Sequence, residues 1–328
     1  MKTTLRNIAL TAVLAASAGI AGAQTGTYPD QSITLVIPFS VGGDADLAAR
    51  NLAAVAQGRL GQNIVPLNRA GAGGGIGSQM VKNAKADGYT LLLARVGSQV
   101  ILPALQPSVG YQWKDFTLLG LLELNPYVCV VRAESPYKHL SDLVEAIKAQ
   151  PGKLNYSTSG PATILNLGPQ LLFDVLKLDK NAAVQIVYKG GGDAALAVLS
   201  SAVDFSCGNL SSLNGNIKAG KLRALMTTTP ERLKEFPDVP TAREAGYPQL
   251  ESIVGWSALY GPPGLPKAVV DRWAAVLAEV AKDPQWIKAT HTGGSIPQIL
   301  SPSETEKYVA AQVPVYERLG KQLQLGLK

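Results

Sequence analysis

Histidine and cysteine are scarce in this chain, whose 328 residues contain two of each. His139 opens a helical pattern, His291 precedes a Gly-Gly turn, and no spaced Cys/His cluster exists, so a zinc site has little support. Neither a G-x-S-x-G elbow nor an H-E-x-x-H helix occurs. Charged residues make up only 16% of the chain and form no basic run with interleaved aromatics, which argues against nucleic acid as a partner. Past the first residues, no run is long and apolar enough to span a bilayer, which takes about 20 residues. Internal repeats and low-complexity tracts are lacking too. A hydrophobic fraction of 46% excludes a disordered chain.

The one short apolar run that does occur stands at the start. Lys2 and Arg6 form a basic region, Ile8 to Ala16 an apolar one, and Ala21-Gly22-Ala23 a small-residue cleavage site before Gln24. The expectation is a signal peptide over residues 1–23 and a soluble periplasmic product. No Cys follows the cleavage site, which argues against a lipid anchor. The formal net charge of +6 falls to +4 once Lys2 and Arg6 leave, a mild excess suited to small anions. About 300 remaining residues suggest two domains as a prior. Cys129 and Cys207 lie in apolar strand-like runs; a disulfide and two buried thiols both stay open.

Beyond this leader the chain alternates short β-type runs with helical patterns. Ile33–Ile37, Ile64–Leu67, Thr90–Ala94, Tyr127–Val131, Asn155–Thr158, Gln185–Tyr188, Val203–Cys207 and Arg223–Thr227 read as strands. Helical patterns include Leu47 to Val55, Leu140 to Ala149 with Ser141 as a candidate cap, Pro266–Ala281 and Pro302–Lys321. Such alternation predicts α/β architecture with mostly parallel sheets, whose ligands sit beyond the carboxyl ends of strands. Gly-, Ser- and Thr-rich loops fall at those ends: Ser40–Gly43, Val96–Ser98, Ser157–Thr163 and Gly190–Gly192. The most telling stretch is Ile33 to Arg50, where a strand breaks at Pro38, turns at Gly42-Gly43 and opens a helix behind Asp44 and Asp46. Free N–H groups at such a helix start form an anion site.

Fragments of enzyme motifs fail on inspection. Gly215 to Lys221 has P-loop spacing, but Leu222 replaces the hydroxyl residue and the order of elements is reversed. Gly71 to Gly77 resembles a dinucleotide fingerprint with Ile76 where the third glycine belongs. Ser135-Pro-Tyr-Lys138 lacks the partner motifs of a β-lactamase.

Taken together, several motifs in order resemble the receptors of tripartite tricarboxylate transporters, also called the Bug family. They are Tyr28-Pro29 with Ile37-Pro-Phe-Ser-Val-Gly-Gly-Asp-Ala-Asp46, Leu67-Asn68-Arg69 with Gly71 to Gly77, and Asp87 to Leu92. Tyr188 to Gly192, Ile217 to Arg223, Phe236 to Thr241 and Glu244-Ala245-Gly246 continue the likeness over essentially the whole chain after the leader. The resemblance implies a two-lobed type II periplasmic-binding-protein fold. Residues 24–127 with 256–328 form one lobe, 128–255 the other, and the ligand lies in the cleft between the two α/β domains.

It also implies a ligand set. Phe39, Ser40, Gly42 and Gly43 come from the first lobe, with Asp46 shaping the loop, and Arg95, Gly97 and Ser98 from the loop after Thr90–Ala94. Ser159, Thr163 and Asn209, with Lys189, come from the second. Other readings of these residues stand beside that one: turn geometry for the glycines, helix capping for Ser159 and Thr163, a solvent-facing Lys189, and an Arg95 that leans out of the cleft or bridges to an acid such as Asp87. Val41 departs from the family's usual Pro, Arg95 and Val96 from its small or hydroxyl residues, and Gly208 from a frequent Asp. An inward Arg95 and the absent acid at Gly208 make the expected cleft more positive, and predict a ligand with at least two negative charges.

The leading functional reading is a binding protein that captures a di-, tri- or aromatic carboxylate by lobe closure. It works as a monomer without cofactor or catalysis, and hands the ligand to the membrane subunits of a tripartite tricarboxylate-type transporter. A ligand sensor feeding a membrane partner and a secreted α/β enzyme are the alternatives. An enzyme should show a positioned base and nucleophile, for which the sequence offers no pattern.

Overall fold

The computed structural model describes residues 28–325, so the leader and its cleavage site lie outside the described residues. The chain runs β1 (Ile33–Ile37), α1 (Asp44–Leu60), β2 (Ile64–Asn68), α2 (Gly75–Lys82), β3 (Thr90–Arg95), α3 (Leu102–Leu105) and β4 (Thr117–Asn125). After Pro126 come β5 (Tyr127–Arg132), α4 (Leu140–Ala149), β6 (Asn155–Thr158), α5 (Ile164–Val175), β7 (Val184–Val187), α6 (Gly191–Leu199), β8 (Phe205–Asn209), α7 (Leu210–Lys218) and β9 (Leu222–Thr227). The last part holds β10 (Gly255–Gly261), α8 (Lys267–Val280), α9 (Pro284–Thr292), β11 (Ile296–Leu300) and α10 (Pro302–Gln322).

Two sheets result, one per lobe. The first has the order β11-β4-β10-β3-β1-β2, the second β7-β6-β8-β5-β9. The chain passes between them through Pro126 and again between β9 and β10. β1 pairs in parallel with β2 and β3, and β6 with β7 and β8, but every pairing of β4, β5, β10 and β11 is antiparallel. The expectation of mostly parallel sheets is therefore corrected to mixed ones. Only one residue separates β4 from β5, too little for a parallel crossover, and the two strands enter different sheets.

Amphipathic helices cover both faces of each sheet. In α1, Ala45, Ala48, Ala49, Leu52, Val55 and Ala56 recur at helical spacing and are buried in one apolar cluster with Trp273 and Trp286. The second lobe packs α6 and α7 through Ala195, Val198, Leu210 and Leu213 against Val128 and Val130. The largest cluster runs through both lobes and includes Tyr127, Leu167, Trp256 and Tyr316 near the crossings. Full burial of an aliphatic side chain such as Leu167 stabilises by roughly 1.5–3 kcal/mol.

Two local expectations change. The start of α4 is capped not by Ser141 but by Asp142, whose carboxylate accepts the N–H groups of Lys138 and His139 at 2.7 and 2.9 Å. Cys129 and Cys207 sit opposite each other on β5 and β8, with Cα atoms 4.0 Å apart, and form a disulfide.

Candidate functional site

The two lobes meet where the carboxyl ends of β1, β3, β6 and β8 converge, together with the loop after β7. Most of the cleft's lining follows a strand end or opens the next helix, as an α/β fold dictates. The first lobe presents the loop Pro38–Gly43. Asp46, in the first turn of α1, is 2% exposed and reaches back to that loop. Its carboxylate accepts the Gly42 N–H and the Arg50 Nε–H, both at 3.0 Å, and the Asn68 side-chain amide at 3.1 Å. The same amide of Asn68 donates to the Phe39 carbonyl at 3.1 Å, so α1 and the end of β2 hold the loop from two sides. Burial alone would raise the Asp46 carboxyl's pKa, but the bonds from Arg50, Gly42 and Asn68 outweigh it and hold the group below the usual carboxylate range. Gly42 takes φ +76°, a left-handed turn that other residues rarely adopt.

Opposite this loop stand Gly190–Gly192 of the second lobe. A Cβ added at Gly190 would lie 2.5 Å from Ser40 Oγ, and one at Gly192 would lie 2.7 Å from the Val41 carbonyl oxygen. Bare backbone on both sides allows the lobes to touch there.

Between them sits Asp44, 7% exposed, at the first position of α1. Its Oδ2 accepts from Arg95 Nη2, at the end of β3, and from Asn209 Nδ2, at the end of β8 in the other lobe. Arg95 is 3% exposed and also donates through Nη1 to Ser257 Oγ. Ser257 donates to Glu123 Oε1 at 2.9 Å, and Asn125 donates to the same oxygen at 3.0 Å. Glu123 is buried. Desolvation raises its pKa, opposed by the Asn125 bond and the charge of Arg95. A polar relay thus runs from the strands near the crossings to the cleft.

Around the relay, Phe39, Asp44, Arg95, Val96 and Gly97 face Ser159, Thr163, Ile164, Leu165, Gly191 and Asn209 across a cavity of about 20 Å³. That volume holds roughly one water, so any larger solute enters only as the lobes part. Beside it opens a space of about 340 Å³ between Gly71–Gly73, Leu102 and Gln106 of the first lobe and Ser159–Ala162 with Val187–Lys189 of the second. Ser159 lines both.

The structure therefore gathers Phe39, Arg95, Gly97, Ser159, Thr163 and Asn209 around one cavity, with Ser40, Gly42 and Gly43 in the loop that closes it. Asp46 faces away and shapes that loop. Lys189 is exposed and borders the wider space. Thr163 also precedes α5, its hydroxyl donating to the Gly160 carbonyl at 2.7 Å. Ser98 is fully buried with its hydroxyl 3.4 Å from the Arg95 carbonyl, and it is not part of the cavity wall.

One expectation about charge is corrected. Arg95 is no free guanidinium in a positive cleft, because Asp44 neutralises it. Asp44 itself was missed as a cleft residue; the signal was an acid directly behind Gly42-Gly43, where the helix opens.

Two α/β lobes on either side of a small cleft define the class of two-lobed solute-binding proteins. Residues 48–325 match the family model described as "Tripartite tricarboxylate transporter family receptor". Protein BugT of Bordetella pertussis is 32% identical over 314 residues, covering 94% of each chain. The solved periplasmic binding protein BugD superimposes with a TM-score of 0.86 at 30% identity, over 92% of this chain and all of that one. MatC from Rhodopseudomonas palustris, solved with bound malate, gives 0.84 at 28% identity, over 89% and 99%. The chain belongs to the tripartite tricarboxylate transporter receptor family. It is a solute-binding receptor, not an enzyme, of a family that works outside the cytoplasm. No helix among the described residues is long and apolar enough to cross a membrane.

Proposed function

We propose that this receptor captures a small carboxylate between its lobes in the periplasm and hands it to the membrane subunits of a tripartite tricarboxylate-type transporter. The first lobe comprises residues 24–127 and 256–328, the second 128–255, and the leader is removed after Ala23. One carboxylate is held by the main-chain N–H groups of Ser40, Val41 and Gly43, whose turn Gly42 shapes, and by Ser159 and the Thr163 main-chain N–H. Phe39, Val96, Ile164 and Leu165 pack on the carbon skeleton. Lys189 meets the part of a longer solute that extends into the wider space.

The observation that carries this reading is the convergence on one cavity of glycine backbone from both lobes with Ser159 and Thr163 of the second. The malate-bound relative supports a carboxylate as the chemical class.

Calorimetric titration against di-, tri- and aromatic carboxylates tests it. One-to-one binding of at least one of them is expected, with a melting temperature that rises with its concentration, since a ligand bound only by the folded state stabilises by mass action. Binding of neutral or cationic solutes alone would contradict it.

A further inference from the structure

The pairing of Asp44 with Arg95 changes what the cleft can select. Oδ2 of Asp44 is fully engaged by Arg95 and Asn209, whereas Oδ1 accepts no hydrogen bond among the described residues. Asp44 lines the cavity, and Oδ1 faces the start of α6, where a Cβ added at Gly191 would lie 3.4 Å from it. Arg95 is held on two sides, by Asp44 and Ser257, and its charge is matched by that of Asp44. The cavity therefore contains one unfilled carboxylate acceptor and no net positive charge from this pair.

From this geometry we infer that Asp44 is a specificity-determining residue. It selects carboxylates that also carry a hydroxyl or amino donor, and it disfavours a second carboxylate at its end of the cleft. This deepens the proposed carboxylate reading and rests on it. A solute's hydroxyl or ammonium group donates to Oδ1 while its carboxylate lies on the N–H groups of the glycine loop. A second carboxylate in the same place meets a like charge in a partly dehydrated space, where repulsion is screened little. A bare methylene leaves Oδ1 without a partner, and sites built to bond a donor reject analogues that lack it. The dianion preference expected from an unpaired Arg95 is thereby reversed at this end of the cleft.

The test compares matched probes: aspartate and malate against succinate, and mandelate against phenylacetate. In the wild-type protein, the member with a hydroxyl or amino group should bind at least about tenfold more tightly, the size of one charge-assisted bond. Asp44→Asn keeps the shape but removes the acceptor charge and frees Arg95. It should shrink the ratio to threefold or less and tighten succinate. Because an unpaired Arg95 can disturb folding, Asp44→Asn with Arg95→Gln removes both charges together. That double variant should lose the donor preference without gaining succinate. Equal binding of donor-bearing and bare probes to the wild type, or an unchanged ratio in both variants, overturns this inference while carboxylate binding stands. If no probe binds the wild type while another carboxylate does, this inference fails alone; if no di-, tri- or aromatic carboxylate binds, the carboxylate reading fails and this inference falls with it.

Discussion

Asp44 and Asp46 lie two residues apart in the first turn of one helix, yet they serve different parts of the molecule. Asp46 spends its hydrogen bonds inside the first lobe, on Gly42, Arg50 and Asn68. Asp44 turns the other way and joins Arg95 to Asn209 across the cleft. One acid builds the loop that the solute meets; the other belongs to the surface that meets the opposite lobe. Proximity in sequence says little about which of these a residue does. The side-chain direction around the helix decides it, since residues two apart point to well-separated faces.

Contacts within a lobe should contribute most to stability, while contacts between lobes contribute less to stability and govern binding. The largest effect on stability is expected from the disulfide, which lies wholly within the second lobe. Its 78-residue separation predicts a loss of about 4–5 kcal/mol for Cys129→Ser with Cys207→Ser in denaturant unfolding. Carboxylate affinity should stay within threefold.

Next comes the reverse case, Gly192→Val. Its new Cβ meets the Val41 carbonyl and holds the lobes apart, so calorimetry should show roughly 100-fold weaker binding. Unfolding free energy should fall by only about 1 kcal/mol, the contribution of bonds across the cleft, because each lobe keeps its own core.

Asp46→Asn lies between these extremes. Loss of its charge-assisted bonds should cost about 1–2 kcal/mol at neutral pH, with only a modest effect on binding. The pH dependence follows from the lowered pKa of Asp46. Its contribution is fully present above the unfolded value of about 4 and is lost as pH falls through the lower folded value. Melting curves of wild type and Asp46→Asn should therefore converge in acid.

The same contrast explains what was legible in the sequence. The loop-shaping role of Asp46 came with the family resemblance, and two of its partners, Gly42 and Arg50, stand only four residues either side of it. The partners of Asp44 stand 51 and 165 residues away, beyond any local pattern. Arg95 was recognised as unusual, but its charge was assigned without the acid that cancels it. Among the strands, β1 and β6 were readable end to end from short β-type runs bounded by turn residues. β4, β10 and β11 were not. β4 is a Leu-rich run without alternation, β10 carries Gly, Ser and Ala, and β11 contains Pro297 at a sheet edge. All three owe their place to antiparallel partners distant in sequence.

A pair of double-mutant cycles on unfolding free energy tests the central contrast most directly, with no solute needed. One cycle combines Asp44→Asn with Asn209→Ala, the other Asp46→Asn with Asn209→Ala. Residues in one hydrogen-bonded network couple, while those without shared partners add to within about 0.5 kcal/mol. A coupling of about 1 kcal/mol or more is expected between Asp44 and Asn209, and near-additivity between Asp46 and Asn209. Equal couplings in the two cycles, or none between Asp44 and Asn209, would contradict it.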